Sequence, residues 1–125
     1  MNELNYATQP ASKRLLDVGI VLETEAVWCR TGRGWRLHLK YKAKMYKWLE
    51  VIPAPSMVEV WRELISCGFP PCSDGDNFWI CDGNADEISP EMSDPNPADA
   101  LIDLLIWVTE QKRRERRGEK WLPIL

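Results

Sequence analysis

Residues 96–117, NPADALIDLLIWVTEQKRRERR, constrain the fold more than any other stretch. Asn96 can cap a helix with its side-chain oxygen, and Pro97 fits the first helical position, where a missing N–H costs nothing. Asp99 falls in the first turn, where the helix dipole favours negative charge. Arg113, Arg114, Arg116 and Arg117 crowd the last turns, where the dipole favours positive charge, and Gly118 supplies the stop. Between residues 100 and 108 only Asp103 is polar, so this helix must be covered on more than one side. The reading expects a sheet against Leu101, Ile102, Leu105 and Val108, and a second cover over Leu104 and Trp107.

The rest of the chain is expected to supply that sheet. Residues 1–8 read as a loose lead-in. Residues 9–18 read as a short helix, with Pro10 near its start, Ala11, Leu15 and Val18 inward, and Gly19 at its end. In residues 20–30, Ile20, Leu22, Thr24, Ala26 and Trp28 fall on one side of an extended strand. TGRG at 31–34 is a turn into a second strand, residues 35–42. There Trp35, Leu37, Leu39 and Tyr41 face the core, and Arg36, His38, Lys40 and Lys42 face out. Residues 45–52 are a candidate third strand.

PAPS at 53–56 breaks the pattern, and Ser56 with Glu59 spells a capping box. Met57, Val60, Trp61, Leu64 and Ile65 then recur at helical spacing until Gly68. Residues 69–76 read as a loop, residues 77–82 as a strand, and Asp82-Gly83 as a hairpin turn. Residues 87–93 are a candidate edge strand, because Pro90 cannot donate to a ladder. The order αββ(β)αβ(β)α predicts an α+β domain over residues 1–125. Its antiparallel sheet has three to five strands, with helices packed on one face and an apolar tail at residues 119–125.

A chain of 125 residues buries roughly two thirds of its unfolded surface, enough for a core without staples. Seven tryptophans argue against disorder. The first ten residues show no basic start followed by an apolar run, and no apolar run is long enough to span a bilayer. A cytosolic protein without membrane contact is expected, its Cys29, Cys67, Cys72 and Cys81 reduced. Net charge is −3, but unevenly spread. Residues 26–49 hold no acid while carrying Arg30, Arg33, Arg36, Lys40, Lys42, Lys44 and Lys47. From residue 50 to 110 Arg62 is the only cation, and residues 112–120 turn basic again.

ASKRLLDVGIVLETE at 11–25, PAPSMVEVWREL at 53–64 and NPADALIDLLIWV at 96–108 together resemble a family of small uncharacterised proteins encoded by phages and prophages of gut Bacteroidales. The resemblance implies a phage or mobile-element origin, hence a bacterial host cytoplasm. It implies no activity and no site residues.

No catalytic constellation stands out. Cys67-x4-Cys72-x8-Cys81 with Cys29 or His38 lacks the paired spacing of zinc sites, and small buried hydrophobes explain these cysteines better. In DGNADE at 82–87, Asp82, Asn84 and Asp86 match the start of a calcium loop. Glu87 stands where that loop needs glycine, so a hairpin turn is the better reading. His38, the single histidine, is expected to be solvated on the outer face of a strand. Asp99 and Asp103 read as a solvated stripe, and no phosphate-binding glycine loop occurs. No cofactor or metal is expected.

Two binding readings follow. The first is a non-enzymatic accessory protein acting through a protein partner or a second copy of itself. It would use Leu104, Trp107, Trp121 and Leu122, because the tail begins only after Gly118 and Trp107 lies at the limit of its reach. The alternative is nucleic-acid binding by basic segments 30–47 and 112–120, through Arg36, Lys40, Lys42, Arg113, Arg116 and Arg117. Against it, cations at a helix C-terminus stabilise the helix anyway, and Glu110 is placed to pair with Arg114.

Overall fold

In a computed structural model the chain is described over residues 2–81, 84 and 86–121. The long helix is α4, Pro97–Arg116. It spans roughly 30 Å at about 1.5 Å per residue. The Asn96 side chain accepts from the backbone N–H groups of Ala98 and Asp99 at 2.9 and 3.3 Å. Its amide also donates to the Tyr6 carbonyl at 2.8 Å.

Helix α1, Gln9–Asp17, runs beside α4 in the same direction. Thr8 caps α1 and ties the two starts together. Its N–H and hydroxyl donate to the two Asp99 oxygens at 2.8 and 2.7 Å. Further along, Arg14 pairs with Asp103 at 2.8 Å. At the far end, the Arg113 guanidinium donates to the carbonyl of Val18, where α1 stops. Asp99 is therefore buried and bonded rather than part of a solvated stripe. Burial pushes its carboxyl above the ordinary value, the two Thr8 bonds pulling the other way.

Helix α3, Met57–Ser66, carries the expected Ser56–Glu59 capping box and packs on another flank of α4. Leu101, Ile102, Leu104, Leu105 and Val108 share one core with Ala11 and Leu15 of α1, Val60 and Leu64 of α3, and Phe78 and Ile80. So α4 is enclosed by two helices and a sheet, not sandwiched between one sheet and a partner. A nearly unbroken apolar surface needs that many covers.

The class is α+β, and the strands divide into two small antiparallel sheets. In the first, β1 (Ala26–Thr31) lies between β2 (Gly34–Leu39) and β3 (Glu50–Pro53). The turn at 31–34 joins β1 to β2 as expected, with Thr31 opposite Gly34. The first strand is shorter than residues 20–30. Its partner ends at Leu39, opposite Ala26, so residues 20–25 have no ladder there and instead lay Ile20 and Leu22 on the α4 core. The same limit ends β2. Residues 40–43 turn into the short helix α2, Lys40–Ala43, built from good helix formers. The third strand occupies residues 50–53, not 45–52.

On its inner side the first sheet buries Ala26, Trp28 and Ile52 with Tyr6 and Ala54. The Trp28 indole N–H donates to the Ala7 carbonyl at 2.9 Å. The outer side is not bare, as simple alternation would have it. Val27 and Cys29 are covered by Ala43 and Trp48.

In the second sheet, β5 (Asn77–Ile80) lies between β4 (Pro71–Ser73) and β6 (Met92–Ser93). Strand β4 falls within the segment expected as loop. Residues 87–93 contribute the two residues of β6 and a single bridge from Glu87 to Cys81. The Asp82-Gly83 turn lies outside the described residues. Among those described, no helix is long and apolar enough to cross a membrane.

Candidate nucleic-acid interface

The residues first assigned to a partner are taken by the chain itself. Leu104 is fully buried in the main core. Trp107 meets the Trp121 ring edge-on at 5.5 Å, and Trp121 in turn lies against Phe69 at 5.3 Å. The tail reaches because Gly118, at φ +79°, reverses the chain. The Gly118 N–H then returns to the Glu115 carbonyl and the Glu119 N–H to the Arg114 carbonyl, at 2.9 and 2.8 Å. Two indoles span the remaining gap. The expectation of a partner over Leu104 and Trp107 is thus corrected. Leu122 lies outside the described residues.

The basic segment 112–120 is also largely engaged. Arg113 caps α1 through Val18. Arg114 bonds the Lys120 carbonyl at 3.2 Å and pairs with Glu119 at 3.5 Å. Arg117 pairs with Glu119 at 3.0 Å and Glu110 at 3.8 Å, so Glu110 takes Arg117 rather than Arg114. Lys112 bonds the Cys67 carbonyl at 3.1 Å and sits 5.0 Å above the Phe69 ring. Of the three predicted arginines, Arg116 alone stands exposed without such a role among the described residues.

Residues 30–47 present a different surface. Arg36 and His38 leave β2 on the outer side, opposite Trp35 and Leu37. His38 is not simply solvated: it stacks on Trp48 with ring centroids 5.0 Å apart. Trp48 is pinned over the sheet by an indole bond to the Ala43 carbonyl at 2.8 Å, and Tyr46 meets Trp48 edge-on at 5.9 Å. A ladder of three rings therefore rises from the sheet and ends in Tyr46, which is 66% exposed. Tyr41 is 64% exposed with the Lys42 ammonium 5.9 Å from its ring. Lys42, Lys44 and Lys47 are exposed around these rings. Lys40 and Lys42 are thus carried by α2 rather than by the strand, and Lys40 leans away to Glu23 at 3.4 Å. Tyr41 is outward where alternation expected it in the core.

The two basic segments do not merge. The first sheet docks near the shared start of α1 and α4, through Trp28 on Ala7, whereas residues 112–120 lie at the opposite end of α4. Sequence reasoning missed Tyr46, Trp48 and Leu49. Their signal is KYKAKMYKW, lysine interleaved with large apolar and aromatic residues and no acid.

A second concavity, about 490 Å³, is lined by Tyr6, Glu25, Ser56, Met57, Glu59 and Arg62, among others. Its carboxylates are already committed. Glu59 accepts from the Ser56 and Glu25 N–H groups at 2.8 and 3.0 Å. Glu25 accepts from the Tyr6 hydroxyl, which pushes the Tyr6 pKa up to about 12. These bonds join the lead-in, the first sheet and α3, so both carboxylates serve to hold the elements together.

The cysteines are not gathered into one set. Cys29 lies in the first sheet, Cys67 at the end of α3, and Cys72 and Cys81 in the second sheet. Among the described residues no group of three or more His, Cys, Asp or Glu could hold a metal. Comparison with known proteins finds no family model, no curated protein and no solved structure that matches the chain.

Proposed function

We propose that this chain is a non-enzymatic binding protein whose ligand is single-stranded nucleic acid, held on the outer face of the first sheet. The observation that carries the reading is the exposure of Tyr41 and Tyr46 among Arg36, Lys42, Lys44 and Lys47, on a segment free of carboxylates. Cations neutralise phosphates and release counterions. Exposed aromatic rings offer stacking platforms, which unpaired bases can reach and paired bases cannot. Among the described residues Arg30 pairs with Glu50 and Lys40 with Glu23, while Arg36, Lys42, Lys44 and Lys47 have no carboxylate partner, so the overall negative charge does not neutralise this face. Together with the phage resemblance, this supports a cytosolic accessory role on nucleic acid exposed as single strands.

The test is anisotropy of a labelled oligonucleotide, single-stranded against duplex, over a series of salt concentrations. Affinity should favour the single strand and fall steeply with salt. Tyr46→Ala should weaken it by about 1–3 kcal/mol, the worth of one stacked base. Equal affinity for duplex, or no loss in that variant, contradicts the reading.

A second reading, a protein partner on the same face, is favoured by one observation. Met45, Leu49 and Val51 are 73%, 65% and 48% exposed beside the lysines. Exposed aliphatic groups of that size mark protein contacts more often than nucleic-acid contacts. A host or phage protein retained by the chain after nuclease treatment, and lost on Leu49→Glu, would replace the first reading with this one.

A further inference from the structure

Two thiols of the second sheet stand together and belong to no site described above. Cys72 on β4 is opposite Trp79 on β5, and Cys81 follows Trp79 by two residues. Side chains two apart on a strand share a face, so both sulfurs lie on the same side of the hairpin. The neighbouring Cys81 thiol, with burial, pushes the Cys72 thiol above its ordinary value. The Trp79 indole N–H donates to the Cys81 sulfur at 3.1 Å. Both cysteines are half-buried, whereas Cys29 is sealed in the first sheet and Cys67 is turned toward Glu63 at 3.7 Å.

We propose that Cys72 and Cys81 form a reversible dithiol–disulfide pair across the β4–β5 hairpin, a modification site for hydroperoxide oxidants. Cys81 is assigned the first attack because the Trp79 indole N–H holds its sulfur in a fixed position on the shared face. The Cys81 thiolate attacks one peroxide oxygen, breaking the O–O bond. The sulfur is oxidised to a sulfenic acid, and the leaving hydroxide takes a proton to become water. Cys72 sulfur then attacks the Cys81 sulfur. The S–O bond breaks, a second water leaves with the Cys72 proton, and the S–S bond forms. Two thiols and one hydrogen peroxide thus become one disulfide and two waters. A disulfide needs a closer approach than a diagonal pair usually has. Strand β4 is a three-residue edge strand, so forming the bond requires only that short edge to draw toward β5.

The full chain should be treated with hydrogen peroxide, its remaining thiols alkylated under denaturing conditions, and its peptides mapped. The expected product has residues 72 and 81 linked, Cys29 and Cys67 alkylated, and full reversal by dithiothreitol. Cys72→Ser should stop the reaction at a sulfenic acid on Cys81 that a dimedone probe captures. Over-oxidation of Cys81 with Cys72 still alkylated would overturn the proposal. So would a linkage of either cysteine to Cys67, or four thiols surviving peroxide that oxidises a reference dithiol. Each readout on the unmutated chain stands whether or not the variant folds.

Discussion

Residues 30–47 and 112–120 are alike as sequence: both are runs of lysine and arginine with aromatic neighbours. The fold treats them differently. The second run is spent on finishing helices. Arg113 closes α1, while Arg114 and Arg117 hold the turn after α4 through Glu119 and Glu110. The first run sits on a β-hairpin and a short helix whose own hydrogen bonds are satisfied by backbone. Among the described residues two of its cations have an acid beside them, Arg30 with Glu50 and Lys40 with Glu23, and the rest have little internal work. A charge run is a surface only where the local structure has no use for the charge.

The largest effect should come from the region around α4. Leu104 is enclosed by its own chain, so Leu104→Ala should lower unfolding stability by about 2–5 kcal/mol in urea. It should leave oligonucleotide affinity of the remaining folded protein unchanged. A loss below about 1 kcal/mol would mean that the helix face is open after all, restoring it as a docking surface.

Next in size, Arg113→Ala removes a charged donor from a part-buried carbonyl and should cost about 1.5 kcal/mol. Lys44→Ala, on the first basic run, should stay within about 0.5 kcal/mol of the parent chain. Equal effects in the two variants would erase the distinction between the runs.

A separate effect concerns pH. Glu25 raises the Tyr6 pKa from 10.0 to about 12. Folding therefore holds the phenol proton more tightly than the unfolded chain does. The resulting stability is fully present below pH 10.0 and is lost as pH rises toward about 12. Urea melts of the parent chain and Tyr6→Phe should differ most at neutral pH and converge across that window. Parallel curves would remove Glu25 as the cause.

Much of this was legible because it is local. Asn96, Ser56 with Glu59, and Gly118 each name a helix end through bonds to residues a few positions away. The turn at 31–34 does the same for the first hairpin. What stayed hidden depends on partners distant in sequence. Alternation carries Tyr41 into the core, but β1 starts at Ala26, so the ladder ends at Leu39 and the face is lost. Asp99 suits a helix start by its dipole, and nothing nearby announces that Thr8 will bury it. Strand β4 is spelled with a proline, a cysteine and a serine, and becomes a strand because Asn77–Ile80 lies beside it. Of the proposed binding face, Arg36 and Lys42 were found from charge. Tyr46 and Trp48 were missed, because their stacking on His38 brings together residues of β2 and the segment before β3.

The most direct test reverses each basic run in turn. Lys42, Lys44 and Lys47 are changed to Glu in one variant, and Arg116 and Arg117 in another. Affinity for a labelled single-stranded oligonucleotide is then measured at low salt. The first variant should lose binding and the second should keep it to within about threefold, because only phosphate-contacting cations contribute to the counterion term. Binding lost in the second variant and retained in the first, or absent from the parent chain, would contradict the account.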